Sequence, residues 1–272
     1  MNTLTEPVFK KLRELIYERC GIYIPDNKMY LLENRLKNRL DEKKLNSFED
    51  YYMLLKYNSD PLEQNVLFDK ITTNETCFYR EPIQLELLTK GILPQIIEKN
   101  KVLPFKIWSA ACSTGEEAYT IAMMIKDDKT FDDSRFNIYG TDLSEAAIIS
   151  ARAGKYGQYA VRNLQPHHKA RYLTTTDNVN FEVTPQIKSC VTFAIGNLMD
   201  ERTTKILQGI DVIFCRNVLI YFDDKAKQKV IKNLYDALKP GGYLFIGVSE
   251  TLHNVTKIFR PTIINRVIVY QK

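Results

Sequence analysis

The stretch from Lys106 to Lys126 constrains this chain more than any other. An apolar run from Lys106 to Ala111 breaks at Cys112-Ser113-Thr114-Gly115 and reopens as a helical run from Ala118 to Lys126. Strand, small-residue turn and helix form the entry to a nucleotide-binding crossover. The turn permits close backbone approach, and Glu116 and Glu117 stand at the start of the helix. Carboxylates there repel a phosphate and suit a cationic or hydroxyl-rich ligand. Glu116 reads as a solvent-facing charge at the helix N-terminus. One glycine in such a turn is common in any α/β protein, so the stretch gains meaning only together with the next crossover.

That next crossover brings a second strand, Phe136 to Thr141, ending in Asp142. An acid in that position accepts hydrogen bonds from ribose hydroxyls. It also reads as a cap for the helix beginning near Ser144, and Asp142 and Ser144 offer two caps between them. Further strands are expected at 211–215 and 242–248, with helices between. The helix from Lys225 to Leu238 stops at the turn residues Lys239-Pro240-Gly241-Gly242. A last strand is expected from Ile263 to Tyr270. The rhythm breaks over about 156–195, where a helix from Pro166 to Tyr172 precedes two alternating runs, Val179–Val183 and Cys190–Ile195. These read as a small antiparallel β-subdomain inserted in the sheet domain. The fold class is therefore α/β, a doubly wound Rossmann-like sheet with ligand at the carboxyl ends of its strands.

The first 70 or so residues differ in kind. Glycine is nearly absent and apolar residues recur at helical spacing: Val8, Leu12, Leu15 and Ile16, then Leu31, Leu32, Leu36 and Leu40. Gly21 stops the first helix, Asp26 is expected to cap the second, Ser47 to Asp50 has the form of a capping box, and Asp60-Pro61 opens a fourth helix. The chain thus divides into an all-helical domain (1–72), an interdomain segment (73–100) and a sheet domain (101–272). Lys28, Arg35 and Arg39 fall in one stripe of the second helix, with Lys37, Lys43 and Lys44 nearby. The stripe reads as a solvated face balanced by Glu33, Asp41 and Glu42, or as a docking face for an acidic helix.

Composition narrows the classes. A net charge of +5 permits an acidic partner without demanding nucleic acid. Five cysteines at 20, 77, 112, 190 and 215 form no CxxC pair, and His167, His168 and His253 are the only histidines. No metal site is expected, and the thiols fit a reducing, cytoplasmic compartment. No signal peptide or membrane-spanning run is apparent.

Six segments in order carry a family resemblance. They are Thr72-Thr73-Asn74-Glu75-Thr76-Cys77-Phe78-Tyr79-Arg80-Glu81, Trp108 to Tyr119, Gly140 to Asp142, Gly196-Asn197-Leu198, Phe214 to Asp223, and Lys239 to Glu250. Together they resemble the CheR-type chemotaxis receptor methyltransferases over nearly the whole chain. The resemblance implies methyl transfer from S-adenosylmethionine to glutamate side chains of a chemoreceptor's cytoplasmic helices, with S-adenosylhomocysteine as product. That cofactor carries a sulfonium, an amino group and a ribose but no phosphate, which agrees with the acidic turn. By position, Asn74, Thr76, Arg80, Gly115, Glu117, Asp142, Asn197, Leu198, Arg216 and Asn217 correspond to the cofactor site, and Arg80 and Tyr221 to catalytic positions. The resemblance also lends weight to Lys28, Arg35 and Arg39 as the receptor-docking stripe.

The implied chemistry needs no base, because a glutamate carboxylate with a reference pKa near ~4.3 is already ionised at neutral pH. Arg80 would fork that carboxylate, or else pair with Glu81 or Asp142. Tyr221 would border the methyl, or else be a core aromatic. Trp108 reads as core. Two positions depart from the family pattern: Tyr79 stands where Phe is common, its hydroxyl expected at an edge, and Ala118 stands where Pro is common. The loop Thr174-Thr175-Thr176-Asp177-Asn178 is short and lacks glycine, which argues against capture of a receptor's C-terminal pentapeptide by strand addition. A monomer is expected. A nicotinamide dehydrogenase would need a Gly-x-Gly-x-x-Gly turn, which is absent. An amino-group nucleic-acid methyltransferase would need Pro-Pro after Asn217, where Val218-Leu219 stands. A non-catalytic cofactor-binding scaffold, or a methyltransferase serving a receptor outside chemotaxis, are the alternatives.

Overall fold

The computed structural model describes residues 3–58, 60–99, 103–132, 135–175 and 177–272. The first region is helical: α1 Glu6–Cys20, a tight turn Asp26–Lys28, α2 Met29–Lys43, α3 Phe48–Tyr57 and α4 Pro61–Ile71. Phe9, Leu12, Ile16, Leu32, Leu36, Leu40, Tyr51, Leu55 and Leu67 meet in one buried core, as the 3.6-residue spacing requires. Gly21 takes the left-handed conformation (φ 75°) that ends α1. The Ser47 hydroxyl accepts from the Asp50 amide and the Asp60 carboxylate from the Leu62 amide, capping α3 and α4. Asp26 does not cap α2, because its carboxylate pairs with Arg13 of α1.

The remainder runs α5 Pro82–Leu87, a widened helical turn Leu88–Ile92 leading into α6 Leu93–Lys99, β1 Phe105–Ala110, α7 Glu116–Asp127, β2 Phe136–Asp142 and α8 Glu145–Ala153. Then come β3 Lys155–Gly157, α9 Pro166–Tyr172, β4 Leu173–Thr175, β5 Asn180–Val183, α10 Pro185–Lys188, β6 Val191–Ile195, α11 Glu201–Ile206 and β7 Ile210–Cys215. The chain ends with α12 Asp224–Ala237, β8 Leu238–Ile246, β9 Arg260–Ile264 and β10 Val267–Gln271. The main sheet has the order β6-β2-β1-β7-β8-β10-β9. The pairs β6–β2, β2–β1, β1–β7 and β7–β8 are parallel, while β10 runs antiparallel to β8 and β9. Successive strands leave β1 in one direction through β2 to β6, then in the other through β7 and β8. That reversal opens a crevice at the carboxyl ends of β1 and β7.

Three expectations are revised. The run from Ile263 to Tyr270 is a hairpin, not one strand; Asn265 and Arg266 both have positive φ (48° and 67°), the turn that joins tightly paired strands. The helix α12 does stop at Ala237, next to the expected end, but Lys239–Gly242 is not a turn ahead of a fresh strand. It lies within β8 as an irregularity, where the register with β7 jumps between the Ile210 and Val212 pairings. The inserted sheet is β3-β5-β4, and Val191–Ile195 lies outside it, pairing in parallel with β2 at the edge of the main sheet. Alternation of side chains cannot tell a solvent-facing edge of a parallel sheet from an antiparallel strand. The expected domain boundary at 100–101 and Thr176 of the short loop fall outside the described residues.

Candidate functional site

A cleft of about 1000 Å³, counted to its open mouth, lies over the carboxyl ends of β1, β2 and β7. The sheet domain supplies Ala111, Cys112, Ser113, Glu117, Asp142, Leu143, Asn197, Leu198, Arg216, Asn217 and Tyr221 to its walls. The interdomain segment Thr72–Thr76 and Arg80 cross it, and the end of α1 closes one side with Cys20 and Ile22. This last contribution had no signal in the sequence. It depends on a backbone bond from Tyr23 N–H to the Tyr221 carbonyl (2.9 Å), a bridge between Ile22 and Phe222, and a bond from the Asn197 side-chain amide to the Arg19 carbonyl (2.7 Å).

The floor is built from the turn after β1. Ala111 and Ser113 hold positive φ (62° and 50°), and Gly115 enters α7 at φ 94°. The Ser113 amide donates to one oxygen of Asp142 (2.8 Å), and the Ser144 amide donates to the other (3.0 Å). Asp142 is therefore both the strand-end acid facing the cleft and a turn-closing acceptor; Ser144 itself caps α8 through the Ala147 amide. Burial pushes Asp142 above the usual carboxylate range, while the amides of Ser144, Ser113 and Leu143 pull it back. The Ser113 hydroxyl donates to the Asn74 carbonyl (2.9 Å), which ties the interdomain segment to the turn.

One wall is an ion network centred on Arg216, whose side chain is 2% exposed. Its guanidinium contacts Glu81 (3.1 Å), Glu117 (3.1 Å) and the Arg80 carbonyl (2.6 Å). Glu117 also accepts from the Ser109 hydroxyl (2.6 Å), and Glu81 from the Asn217 side-chain amide (3.2 Å). Nε of Arg216 is buried with no hydrogen-bond partner among the described residues. Asn217 (φ 57°), Glu81 (φ 53°) and Tyr79 (φ 55°) are left-handed, so the backbone on both sides of Arg80 and at the network's edge is held in a costly conformation. Arg80 differs from Arg216. It is half-buried, donates to the Glu75 carbonyl (3.1 Å), and pairs with no carboxylate among the described residues.

Asn74, Thr76, Arg80, Glu117, Asp142, Asn197, Leu198, Arg216, Asn217 and Tyr221 thus meet in one cleft. Gly115 does not line it. A Cβ there would lie 2.9 Å from both Ala151 and Phe193, so the glycine serves close packing of the turn. Lys28, Arg35 and Arg39 lie elsewhere and do not form a free stripe. Arg39 forks Glu63 (2.9 and 2.6 Å) and reaches Glu42 (2.6 Å). Arg35 bonds the Ile71 carbonyl and the Thr73 hydroxyl, bracing the segment that enters the cleft. Lys28 is exposed with no ion pair among the described residues. Glu116 is not a solvent-facing charge. It is 3% exposed beneath the turn, accepts from the Thr114 hydroxyl (2.7 Å), and burial raises it to about 7. The Tyr79 hydroxyl is not at an edge but 2.8 Å from Nδ1 of buried His168. Trp108 is fully buried and bonded to Thr141, as expected of core. Sequence reasoning missed Glu81, although it adjoins Arg80 in the motif that begins at Thr72; its role depends on a contact across more than a hundred residues.

The donor set fits a ligand with ribose hydroxyls and an amino-acid end. Three acids, Glu75, Glu117 and Asp142, and apolar Ile22, Leu143, Leu198 and Phe222 share one cleft. The family models agree in extent: "CheR methyltransferase, all-alpha domain" matches residues 7–72, and "CheR methyltransferase, SAM binding domain" matches 74–268. Chemotaxis protein methyltransferase 1 of Pseudomonas aeruginosa is 34% identical over 97% of each chain. The chemotaxis protein methyltransferase of Borreliella burgdorferi is 36% identical over 92% of this chain and 89% of that protein. That of Escherichia coli is 33% identical over 94% and 88%.

Proposed function

The chain belongs to the CheR methyltransferase family, and from that footing we propose which of its own residues hold cofactor and substrate. It transfers a methyl group from S-adenosylmethionine to glutamate side-chain carboxylates of a chemoreceptor. The cofactor supplies an electrophilic methyl on sulfur, which an ionised carboxylate can take in line without a base. Asp142 would accept the ribose hydroxyls and Glu117 the ammonium group, with Asn74, Thr76, Asn197, Leu198, Arg216 and Asn217 completing the walls. Arg216 is committed to the Glu81 and Glu117 carboxylates.

Arg80 is not, and that contrast carries the assignment. A guanidinium with no carboxylate partner among the described residues, held at the cleft by a strained backbone, can fork the incoming carboxylate and fix one oxygen toward the methyl. Tyr221 borders the same space and helps exclude water. The test separates the two roles. Asp142→Ala should weaken S-adenosylmethionine binding in calorimetry; Arg80→Ala should lower methyl transfer to receptor-bearing membranes about a hundredfold while most cofactor affinity remains. Retained turnover in Arg80→Ala would discard it as the carboxylate holder. Cofactor binding by wild type without turnover on any receptor would favour the scaffold reading.

Receptor docking falls to the helical domain, with Lys28 contributing the exposed charge of the stripe that has no ion pair among the described residues. A tail-peptide tether is not part of this reading: β4 offers three residues, and the Asp177 carboxylate accepts the Val179 and Asn180 amides (2.9 and 2.8 Å), bonds an added strand would not find free. Added pentapeptide should leave the receptor KM unchanged, and sedimentation should report a monomer. No helix among the described residues is long and apolar enough to cross a membrane; a cytoplasmic setting, where receptor helices are reached, completes the reading.

A further inference from the structure

We propose that Asp127, His167 and His168 form a binding site for a divalent transition-metal ion of the zinc class, at the opposite end of α7 from the cleft. Asp127 is the last residue of α7, and the two histidines lie in the first turn of α9. Nε2 of each imidazole stands 3.2 Å from the same carboxylate oxygen of Asp127, and the three candidate ligand atoms lie within 4.8 Å of one another. Nitrogen and oxygen ligands about 2.0–2.1 Å from a tetrahedral zinc ion stand roughly 3.3 Å apart. The spacing is that of ligands sharing an ion.

A histidine–carboxylate ion pair is the other reading of such distances, and His168 argues against it. Its ring is buried, yet Nε2 makes no hydrogen bond among the described residues despite lying so near Asp127. Its other nitrogen, Nδ1, is 2.8 Å from the Tyr79 hydroxyl. With the proton on Nδ1 donated to that oxygen, a lone pair on Nε2 faces the carboxylate. Ligating histidines are commonly fixed this way through their second nitrogen. The second Asp127 oxygen accepts from Arg171 (2.6 Å) and the Tyr172 hydroxyl (3.3 Å), so the carboxylate is held as well. The Arg171 charge weakens attraction for a cation and sets the expected affinity in the micromolar range. His167, with its side chain 60% exposed, provides the entry path, and a water completes the coordination. Two imidazoles and a carboxylate suit zinc, cobalt or nickel over magnesium or calcium. An ion there would clasp the inserted subdomain to α7 and, through Tyr79, to the segment bearing Arg80.

The test uses the full chain, stripped with a chelator and titrated with Zn²⁺ against a chromogenic competitor, then with Co²⁺ read by visible absorption. One ion should bind per chain, with intense four-coordinate cobalt bands and no thiolate-to-metal absorption. His167→Ala, an exposed change, should weaken binding about tenfold or more, Tyr79→Phe about tenfold, and His253→Ala not at all. No binding at tens of micromolar zinc, binding by His167→Ala equal to wild type, or a thiolate–cobalt band would each overturn the proposal.

Discussion

Glu63 in the helical domain and Arg216 in the cleft are both buried charges ringed by opposite ones, yet the two surroundings differ. Glu63 is forked by Arg39, met by Lys43 (2.8 Å) and bonded by the Tyr51 hydroxyl (2.9 Å), and all four residues lie within the helices α2, α3 and α4. Arg216 has two carboxylates but an Nε without a partner among the described residues, and the residues around it adopt left-handed conformations. The first network is closed upon itself and holds helices together. The second opens toward a cleft at a conformational cost of roughly 1–3 kcal/mol per strained residue. Burial and pairing of charge alone therefore do not distinguish the two; incomplete pairing beside costly backbone does.

The sharpest way to break this division is Glu63→Gln. Leaving Arg39 and Lys43 without their buried partner should cost about 3 kcal/mol in chemical denaturation while cofactor affinity of the folded protein is unchanged. Loss of cofactor affinity with stability intact would erase the distinction. The same carboxylate gives a pH signature. Its folded pKa is lowered from 4.5 to about 2: burial pushes it up, and Arg39, Lys43 and Tyr51 together outweigh that effect. As pH falls, the unfolded chain takes up the proton first. The stabilisation is thus complete above pH 4.5 and disappears toward pH 2 in wild type, and this acid-dependent part should be missing from the variant.

Glu81→Gln probes the open network. It keeps the shape but removes one of the two charges facing Arg216, and cofactor affinity of the folded protein should fall about tenfold by calorimetry, with a loss of stability smaller than that of Glu63→Gln because Glu117 still faces Arg216. A change confined to stability would return Glu81 to a purely structural role. Glu116 supplies an opposite pH test. Burial raises its folded pKa from 4.5 to about 7, so the folded chain retains a proton that the unfolded chain releases. Its ionisation opposes folding increasingly as pH climbs from 4.5 through 7. Glu116→Gln should therefore gain about 3 kcal/mol over wild type at about pH 8 and nothing at about pH 4. The smallest effect belongs to Lys28→Glu: a roughly two- to threefold rise in receptor KM, in line with what one exposed charge contributes, with cofactor affinity untouched.

The sequence is most legible where chemistry is carried by short contiguous segments. The turn Ala111–Gly115, Asp142, Asn197-Leu198 and Arg216-Asn217 are strand ends, and a parallel sheet brings strand ends together by construction. It is least legible where the partner is remote. Nothing local to Arg39 announces Glu63, nothing at Cys20 or Ile22 announces the cleft, and Glu116 differs from Glu117 only in which side of α7 it faces. Edge strand β6 reads as antiparallel because alternation carries no directional information, and the β9–β10 turn is hidden because Asn265-Arg266 lacks the glycine that usually marks it.

The short backbone bridge between Ile22 and Phe222 bears on how this protein could be rebuilt. Exchanging residues 1–72 for the equivalent part of a relative would also replace a side of the cleft. Such hybrids should show altered cofactor affinity even where both parents fold well, and the parent's affinity should be kept only when the graft leaves Arg19 to Tyr23 behind. The two halves are separable as sequence matches but not as interchangeable parts.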